Sequence, residues 1–332
     1  MQIKQVLQKL YEHNPLSKEE AKNVLIDMSA GQLNNSQVAS FMTVYLMRPV
    51  TVEELKGFKE ALLELCIPVK LNSEVIDVCG TGGDAKNTFN ISTLSSFVIA
   101  ASGVKVAKHG NYGVSSVSGS SNVLEHFGYR FTNDNNNLQQ QLDEANICFM
   151  HAPLFHPALK QVAPIRKEMG VKTFFNMLGP LVNPALPQYR LVGVFNLELA
   201  RIYNYLLQEE KGNYCVVHSI DGYDEISNTA AFKIYSNTGE SIVEPTDLSI
   251  EKCSEQDLFG GNDVKEAADI FLNILEGNGS KAQNNAVIIN SAYGIQCATN
   301  KDISECIAAA TESLISKKAL AKFKQLIKTS TI

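Results

Sequence analysis

The chain has no tryptophan, no C-x-x-C pair among its seven cysteines, no excess of positive charge and no apolar run long enough to span a bilayer. The missing tryptophan excludes nothing, since one rare residue can be absent by chance. The other absences narrow the field. Cysteines scattered as Cys66, Cys79, Cys148, Cys215, Cys253, Cys297 and Cys306 argue against a zinc site and a disulfide framework. They read as small core residues in a reducing compartment. A net charge of −6 and a pI near 5.6 disfavour nucleic acid or an anionic membrane as the main partner, because both reward a basic surface. No segment approaches the ~18 apolar residues of a membrane span, and the N-terminal MQIKQVLQKLYEHN is amphipathic, so the cytoplasm is the expected location. What is present suffices for a large core: 332 residues, 45% of them hydrophobic and 19% charged, a length that predicts two domains.

Up to about residue 65 the apolar spacing is helical. SKEEAKNVLIDMSAG opens with a capping-box pattern, Ser17 and Glu20, and closes on Gly31; a later helix starts from Thr51 with Glu54 three residues on. Four short helices without a strand are predicted. From Glu74 the texture changes to VIDVC, TLSSFVIAAS, VKVAK, SNVLEHFG and ICFMHA, and RLVGVF, YCVVHS and NAVIINSAYGI extend the pattern. Strands alternating with helices imply right-handed βαβ units and a mainly parallel sheet, with ligands at the C-terminal ends of its strands. KKALAKFKQLIK reads as a terminal amphipathic helix, NDNNNLQQQ as a polar loop entering a helix, and DLSIEKCSEQDLFGGND as loop.

Two glycine-rich stretches follow predicted strands. DVCGTGGDAKNTFNIST places Gly80, Gly82 and Gly83 beside Asp84, Thr88, Asn90, Ser92 and Thr93. Bare backbone N–H groups at such a turn attract anions, phosphate first. No Gly-Lys-Ser/Thr closes it and its glycines are not spaced for a dinucleotide, so alone it is a weak signal. KHGNYGVSSVSGSS adds Lys108, His109, Asn111 and serines among Gly110, Gly113 and Gly119, a set suited to a polyphosphate. Two such loops at one edge of a parallel sheet strengthen each other. A third stretch, HSIDGYDEIS, offers adjacent carboxylates at Asp224 and Glu225 with Asp221 nearby; Mg²⁺ held by one or two carboxylates plus substrate phosphates needs no more protein than this. In HAPLFHPALKQVAPIRKEMGVKTFFNMLGPLVNP, Pro153, Pro157, Pro164 and Pro180 set helix starts and stops. Arg166 lies near a predicted helix start, badly placed for the dipole, and either faces a ligand carboxylate or snorkels at the surface.

Taken in order, DVCGTGGD…NTFNIST, KHGNYGVSSVSGS, HPALKQVAPIRKEMGVKTFFNMLGPLVNP and DGYDE resemble the anthranilate phosphoribosyltransferases over about half the chain. The resemblance implies an α/β large domain with a central mainly parallel sheet plus a small all-α domain, the class III-like architecture shared with nucleoside phosphorylases. The helical domain would be residues 1–66 with an inserted segment near 165–186, and the phosphoribosyl pyrophosphate-binding domain 67–164 and 187–332. It implies homodimers through the helical domain, an active site between the domains, and two Mg²⁺ per site. By resemblance, phosphoribosyl pyrophosphate contacts Gly80, Gly83, Asp84, Thr88, Asn90, Ile91, Ser92, Thr93, the run Lys108, His109, Gly110, Asn111, Tyr112, Gly113, Val114, Ser115 and Ser116, and Ser120. Anthranilate contacts Gly80, Asn111 and Arg166, with His109 lining its path; Ser92, Asp224 and Glu225 ligate Mg²⁺; Lys108 and His109 are the catalytic candidates.

One departure is visible: Ser121-Asn122 stands where the family carries Ala-Asp after the SGS, and a lost carboxylate alters helix capping although Asn also caps. The implied reaction moves the phosphoribosyl group to the amine of anthranilate with release of pyrophosphate, the second step from chorismate to tryptophan. Two other readings stay open from sequence: a pyrimidine nucleoside phosphorylase on the same scaffold, and a non-enzymatic nucleic-acid-binding paralogue. The acidic charge and the intact Asp-Glu pair speak against the second.

Overall fold

The computed structural model describes residues 2–113 and 116–330. In chain order the helices and strands are α1 (Ile3–Tyr11), α2 (Lys18–Ser29), α3 (Asn35–Met47), α4 (Val52–Glu64), β1 (Ile76–Gly80), α5 (Ile91–Ala101), β2 (Val106–Gly110), α6 (Ser120–His126), α7 (Asn135–Ala145) and β3 (Ile147–His151). There follow α8 (Ala152–Phe155), α9 (Ala163–Met169), β4 (Tyr189–Gly193), α10 (Leu197–Leu207), β5 (Asn213–Ser219), β6 (Phe232–Ser236) and β7 (Gly239–Val243). The last are α11 (Val264–Leu275), α12 (Lys281–Thr299), α13 (Ile303–Ile315) and α14 (Lys318–Thr329). Two compact units result: residues 1–69 with 152–186, and residues 70–151 with 187–332.

In the first unit, both capping boxes form. The Glu20 N–H donates to Ser17 Oγ while the Glu20 carboxylate accepts the Ser17 N–H, and Thr51 and Glu54 repeat the exchange. α2 gives way to Gly31 at φ +70, the left-handed conformation that stops a helix cheaply only at glycine. The core is aromatic: Phe58 stacks on Phe174 at 4.4 Å, with Phe41 and Tyr45 edge-on to Phe58. Pro157, Pro164 and Pro180 each stand in the first turn of a short helical segment, where a missing N–H costs nothing.

The second unit is a seven-stranded sheet ordered β3-β2-β1-β4-β5-β6-β7. Strands β3 to β5 in that order are parallel, and β6 and β7 add antiparallel at one edge. β1, β2 and the edge strand β3 are buried over most of their length, Asp77 of β1 and Lys108 and His109 of β2 included. The predicted helices α5, α6, α7 and α14 are present.

One expectation fails, and one pair of strands goes unannounced. NAVIINSAYGI, read as another strand-like run, lies inside the 19-residue helix α12, which is capped by Ser280 with Gln283. Its residues 286–295 are all buried, and Gly294 admits Ile99, whose Cδ1 would lie 2.4 Å from an added Cβ. A helix buried all round loses its polar face and with it the 3.6-residue period. The sequence does not announce the β6–β7 hairpin, because β7 (GESIV) is exposed along most of its length and carries no apolar alternation.

Candidate active site

Winding reverses between β1 and β4: from β1 the sheet grows through β2 and β3 on one side and through β4 and β5 on the other. The crevice at such a switch point, beyond the C-terminal strand ends, is where open α/β sheets bind ligands. Both strands end there on glycine, Gly80 paired with Gly193. The glycines are required by Asp224. A Cβ on Gly193 would fall 1.5 Å from the Asp224 carbonyl oxygen, and one on Gly80 would fall 2.4 Å from Asp224 Oδ2.

The Asp224-Glu225 pair is held from several sides. Gly82 donates its N–H to Asp224 Oδ2 at 2.6 Å, and Ser92, in the first turn of α5, donates its N–H to Glu225 Oε1 at 2.9 Å. Ser219 Oγ donates to the Glu225 carbonyl. Asn290 on α12 accepts the Ile226 N–H at 3.1 Å and donates to its carbonyl at 2.9 Å, which fixes the chain just past the pair. Thus the structure brings Ser92, Asp224 and Glu225 together, while Asp221 instead accepts from Thr229 Oγ1.

Burial, then the nearby charge of Asp84, pushes the Asp224 carboxyl up to about 7 against the pull of the Gly82 N–H. Burial and the charge of Asp224 push Glu225 well above the usual carboxylate range, with Lys108 opposing. Two crowded carboxyls that resist ionising, with the charge of Asp84 beside them, are hard oxygen donors that fit a divalent cation such as Mg²⁺. Among the described residues no group of three His, Cys, Asp or Glu side chains forms a complete metal cage. Mg²⁺ held here would therefore take further oxygens from substrate and water, as it commonly does.

Around the carboxylates lie the two glycine-rich loops. Asp84 accepts the Lys86 N–H, and Thr88 forms a backbone bridge to Phe259. Gly83 has φ +83, a conformation suited to glycine. Asn90 Nδ2 donates to the Ser118 carbonyl at 3.0 Å, so the two loops touch. Ile91 and Thr93 have buried side chains, and the Ile91 N–H is already given to Phe89. Lys108 is buried on β2, its ammonium donating to the Val78 carbonyl of β1. The His109 ring is buried too, and its backbone N–H donates to Asp77. Gly110 leaves room for Ser120 Oγ and the Phe149 ring. Asn111 Oδ1 accepts the Tyr112 N–H, and Tyr112 Oη reaches Glu125 at 3.3 Å. Ser116 Oγ donates to the Ser118 carbonyl, and Ser120 Oγ to the Asn111 carbonyl. Val114 and Ser115 lie outside the described residues.

Buried polar atoms without a protein partner collect in the same loops: Thr81 Oγ1, Asn90 Oδ1 and Ser118 Oγ. A buried hydroxyl lacking a bond is costly unless a ligand completes it. Ser118 is one of the loop serines that the sequence offered to a polyphosphate, whereas Thr81 and Gly193 were not among the expected site residues. Thr81 stands inside the CGTGGD run itself, and a lone glycine in the apolar run RLVGVF was the available signal for Gly193.

Arg166 belongs to the helical unit. α9 is only seven residues long, so Arg166 falls in its last turn, where the dipole favours a cation, and not simply near an unfavourable start. Its guanidinium lies over the Phe175 ring at 5.1 Å and donates to Asn176 Oδ1 at 3.3 Å. Burial lowers its pKa from the usual value, and among the described residues no carboxylate pairs with it.

A helical bundle combined with a sheet whose glycine-lined switch point carries a carboxylate pair defines a glycosyl transferase of the two-domain kind. Residues 4–66 match the helical bundle domain of the glycosyl transferase family and residues 72–320 its a/b domain. The chain belongs, more narrowly, to the anthranilate phosphoribosyltransferase family. It is 55% identical to the anthranilate phosphoribosyltransferase of Flavobacterium psychrophilum over 98% of both chains, and 52% identical to that of Bacteroides thetaiotaomicron over 98% of both. Among solved structures, the enzyme of Thermus thermophilus superposes with a TM-score of 0.91 at 30% identity, covering 98% of this chain and 99% of that one. The Saccharomyces cerevisiae enzyme in complex with PRPP and Mg superposes equally, at 25% identity over 99% and 98%.

Proposed function

We propose that this chain transfers the phosphoribosyl group of 5-phosphoribosyl 1-pyrophosphate to the amine of anthranilate, giving N-(5-phosphoribosyl)anthranilate and pyrophosphate in tryptophan biosynthesis. The observation that carries this reading is the Asp224-Glu225 pair seated on the glycines of the switch point, flanked by loops with unsatisfied hydroxyls. In this reading the first loop (Gly80, Gly83, Asp84, Thr88, Asn90 to Thr93) and the second (Lys108 to Ser116, with Ser120) hold phosphoribosyl pyrophosphate, and Thr81 and Ser118 join them. Ser92, Asp224 and Glu225 hold Mg²⁺, two ions per site, which when bound offsets the charge of the pyrophosphate leaving group.

The bond from the anomeric carbon to the pyrophosphate oxygen breaks, a bond from carbon to the anthranilate nitrogen forms, and the amine gives up a proton. Lys108 supplies positive charge beneath the leaving group, and His109 lines the path of the amine and is the candidate to take its proton. An aromatic amine already carries the attacking lone pair, so orientation is the main requirement. Arg166 answers it: a half-buried guanidinium held by Asn176 and Phe175, without a carboxylate of the protein, is suited to the carboxylate of anthranilate. The family resemblance adds Gly80 and Asn111 as anthranilate contacts.

We assign the homodimer contact to the helical unit, where Met47, Leu46 and Tyr11 are 81%, 47% and 54% exposed. No described helix is long and apolar enough to cross a membrane, and the cysteines are free thiols, which agrees with a cytoplasmic enzyme. The test is the loss of anthranilate fluorescence on adding phosphoribosyl pyrophosphate and Mg²⁺. Turnover that needs Mg²⁺ and vanishes in the D224A/E225A protein is expected; a folded wild-type protein without turnover overturns the reading.

A further inference from the structure

Asn122, one of the two residues that depart from the family pattern, occupies a junction no catalytic role explains. Its Oδ1 accepts two backbone N–H groups, from Gly113 and from Gly119, both at 2.9 Å. These glycines flank the serine-rich part of the second loop, and their backbones are nearly in contact: a Cβ on Gly119 would fall 2.3 Å from Gly113 N. The residues just before Asn122 hold the other side of the same junction. The Ser121 N–H and Ser120 Oγ both donate to the Asn111 carbonyl, at 3.1 Å and 3.3 Å. Ser121, fully buried, also binds His151 Nδ1 at 2.9 Å, and His151 stacks on Phe131 at 4.4 Å. That bond ties the start of α6 to the end of β3.

We propose that Asn122 is a positioning residue that holds Gly113 to Gly119 so that the second loop is primed for phosphate, with Ser121 and His151 anchoring the helix from which it acts. The inference rests on the functional reading above, since it assigns that loop to phosphoribosyl pyrophosphate. One oxygen atom joins the Gly113 and Gly119 backbones, so these two ends are held together before the ligand arrives, and the cost of bringing them together is not charged against binding. A carboxamide does this without adding a negative charge beside a polyanion, whereas a carboxylate does it with one. Removal of the bridge weakens the binding of phosphoribosyl pyrophosphate and leaves the carboxylate-holding machinery and Arg166 untouched.

The experiment compares wild type with N122A and N122D in steady-state kinetics for each substrate, and follows amide hydrogen exchange at Gly113 and Gly119. In N122A we expect the KM for phosphoribosyl pyrophosphate to rise at least tenfold, the KM for anthranilate to stay within threefold, and both glycine amides to exchange at least tenfold faster. N122D, which keeps the acceptor, recovers most of the loss. A KM for phosphoribosyl pyrophosphate within threefold of wild type in N122A overturns the inference. So does an unprotected Gly113 amide in the wild-type protein, a measurement that needs no variant to fold. Absence of wild-type turnover would instead remove the functional reading, and the exchange data would still report whether the bridge exists.

Discussion

Gly82 and Asp224, 142 residues apart in sequence, are joined by a 2.6 Å hydrogen bond from the glycine N–H to the carboxylate. The bond fastens the first glycine loop to the acidic pair and makes one site of two distant motifs. It is too weak an acceptor interaction to hold Asp224 ionised against burial and the charge of Asp84, and the carboxyl sits at about 7 instead of its usual 3.8.

That shift sets a pH dependence. Between pH ~4 and 7 the folded, metal-free protein keeps a proton on Asp224 that the unfolded chain has released, so its stability falls as pH rises through this window. A divalent cation displaces the same proton. Mg²⁺ affinity therefore rises as pH rises through 7, with at least one proton released per binding event near pH 6, because Glu225 is raised as well. Calorimetry in buffers of different ionisation heat counts that proton; binding without proton release contradicts the assignment.

Gly80→Ala and Gly193→Ala will fail in different ways. At Gly193 the new methyl meets backbone, the Asp224 carbonyl at 1.5 Å, which cannot yield without moving the chain. At Gly80 it meets the end of a side chain at 2.4 Å. Overpacking of this kind costs about 1–3 kcal/mol, so G193A is expected at or above the top of that range in urea unfolding. G80A stays near the bottom but loses Mg²⁺ affinity as the carboxylate swings away. Equal stability losses would contradict this contrast.

Arg166→Lys tests the geometry of a planar fork. A lysine keeps the charge but neither stacks on Phe175 nor offers two parallel donors. The KM for anthranilate is expected to rise roughly tenfold or more, with the KM for phosphoribosyl pyrophosphate little changed. A uniform fall in kcat with both KM values intact would count against Arg166 as the carboxylate contact.

Stability of the helical unit depends on an ion pair remote from the chemistry. Glu54 is completely buried and paired with Arg48, and accepts from the Leu16 N–H and Tyr45 Oη, both at 3.0 Å. Burial raises its pKa, but the Arg48 bond and the backbone N–H groups outweigh that and leave it below the usual value. The contribution is thus present above the unfolded pKa, near 4.5, and is lost as pH falls through the lower folded value. Removing one partner of a buried pair costs about 3–5 kcal/mol. Arg48→Met should reach that range in chemical unfolding, and the R48M/E54Q protein should lose less than the sum of the two single changes.

How much of this was legible in advance differs by element. Ser17-x-x-Glu20 and Thr51-x-x-Glu54 announced their helices because a capping box is satisfied within four residues. The strands from β1 to β5 were visible as apolar runs bounded by glycine and polar residues. α12 was not, since its apolar character is uniform and its length is revealed only by the caps at Ser280 and Asn300. β7 was missed because an exposed strand has little hydrophobic signal, whereas β6, with Phe232, Ile234 and Tyr235 buried, was overlooked although it has one. At the site, DVCGTGGD, KHGNYG and Asp224-Glu225 could each be found as a local motif. Asn290, which fixes the chain after Glu225, could not: it lies on the very run that looked like a strand.

By itself the sequence determined what is local: where helices start and stop, which turns need glycine, and which side chains bring charge and hydroxyls. Only the tertiary structure decided what is distant. It placed Gly80 against Gly193, set Asp224 on both, and brought Asn122 to two backbone groups at either end of one loop. A capping bond or a turn is specified by residues within one helical turn of each other. A site at a sheet's switch point is specified by strand order, which emerges only when the whole core packs.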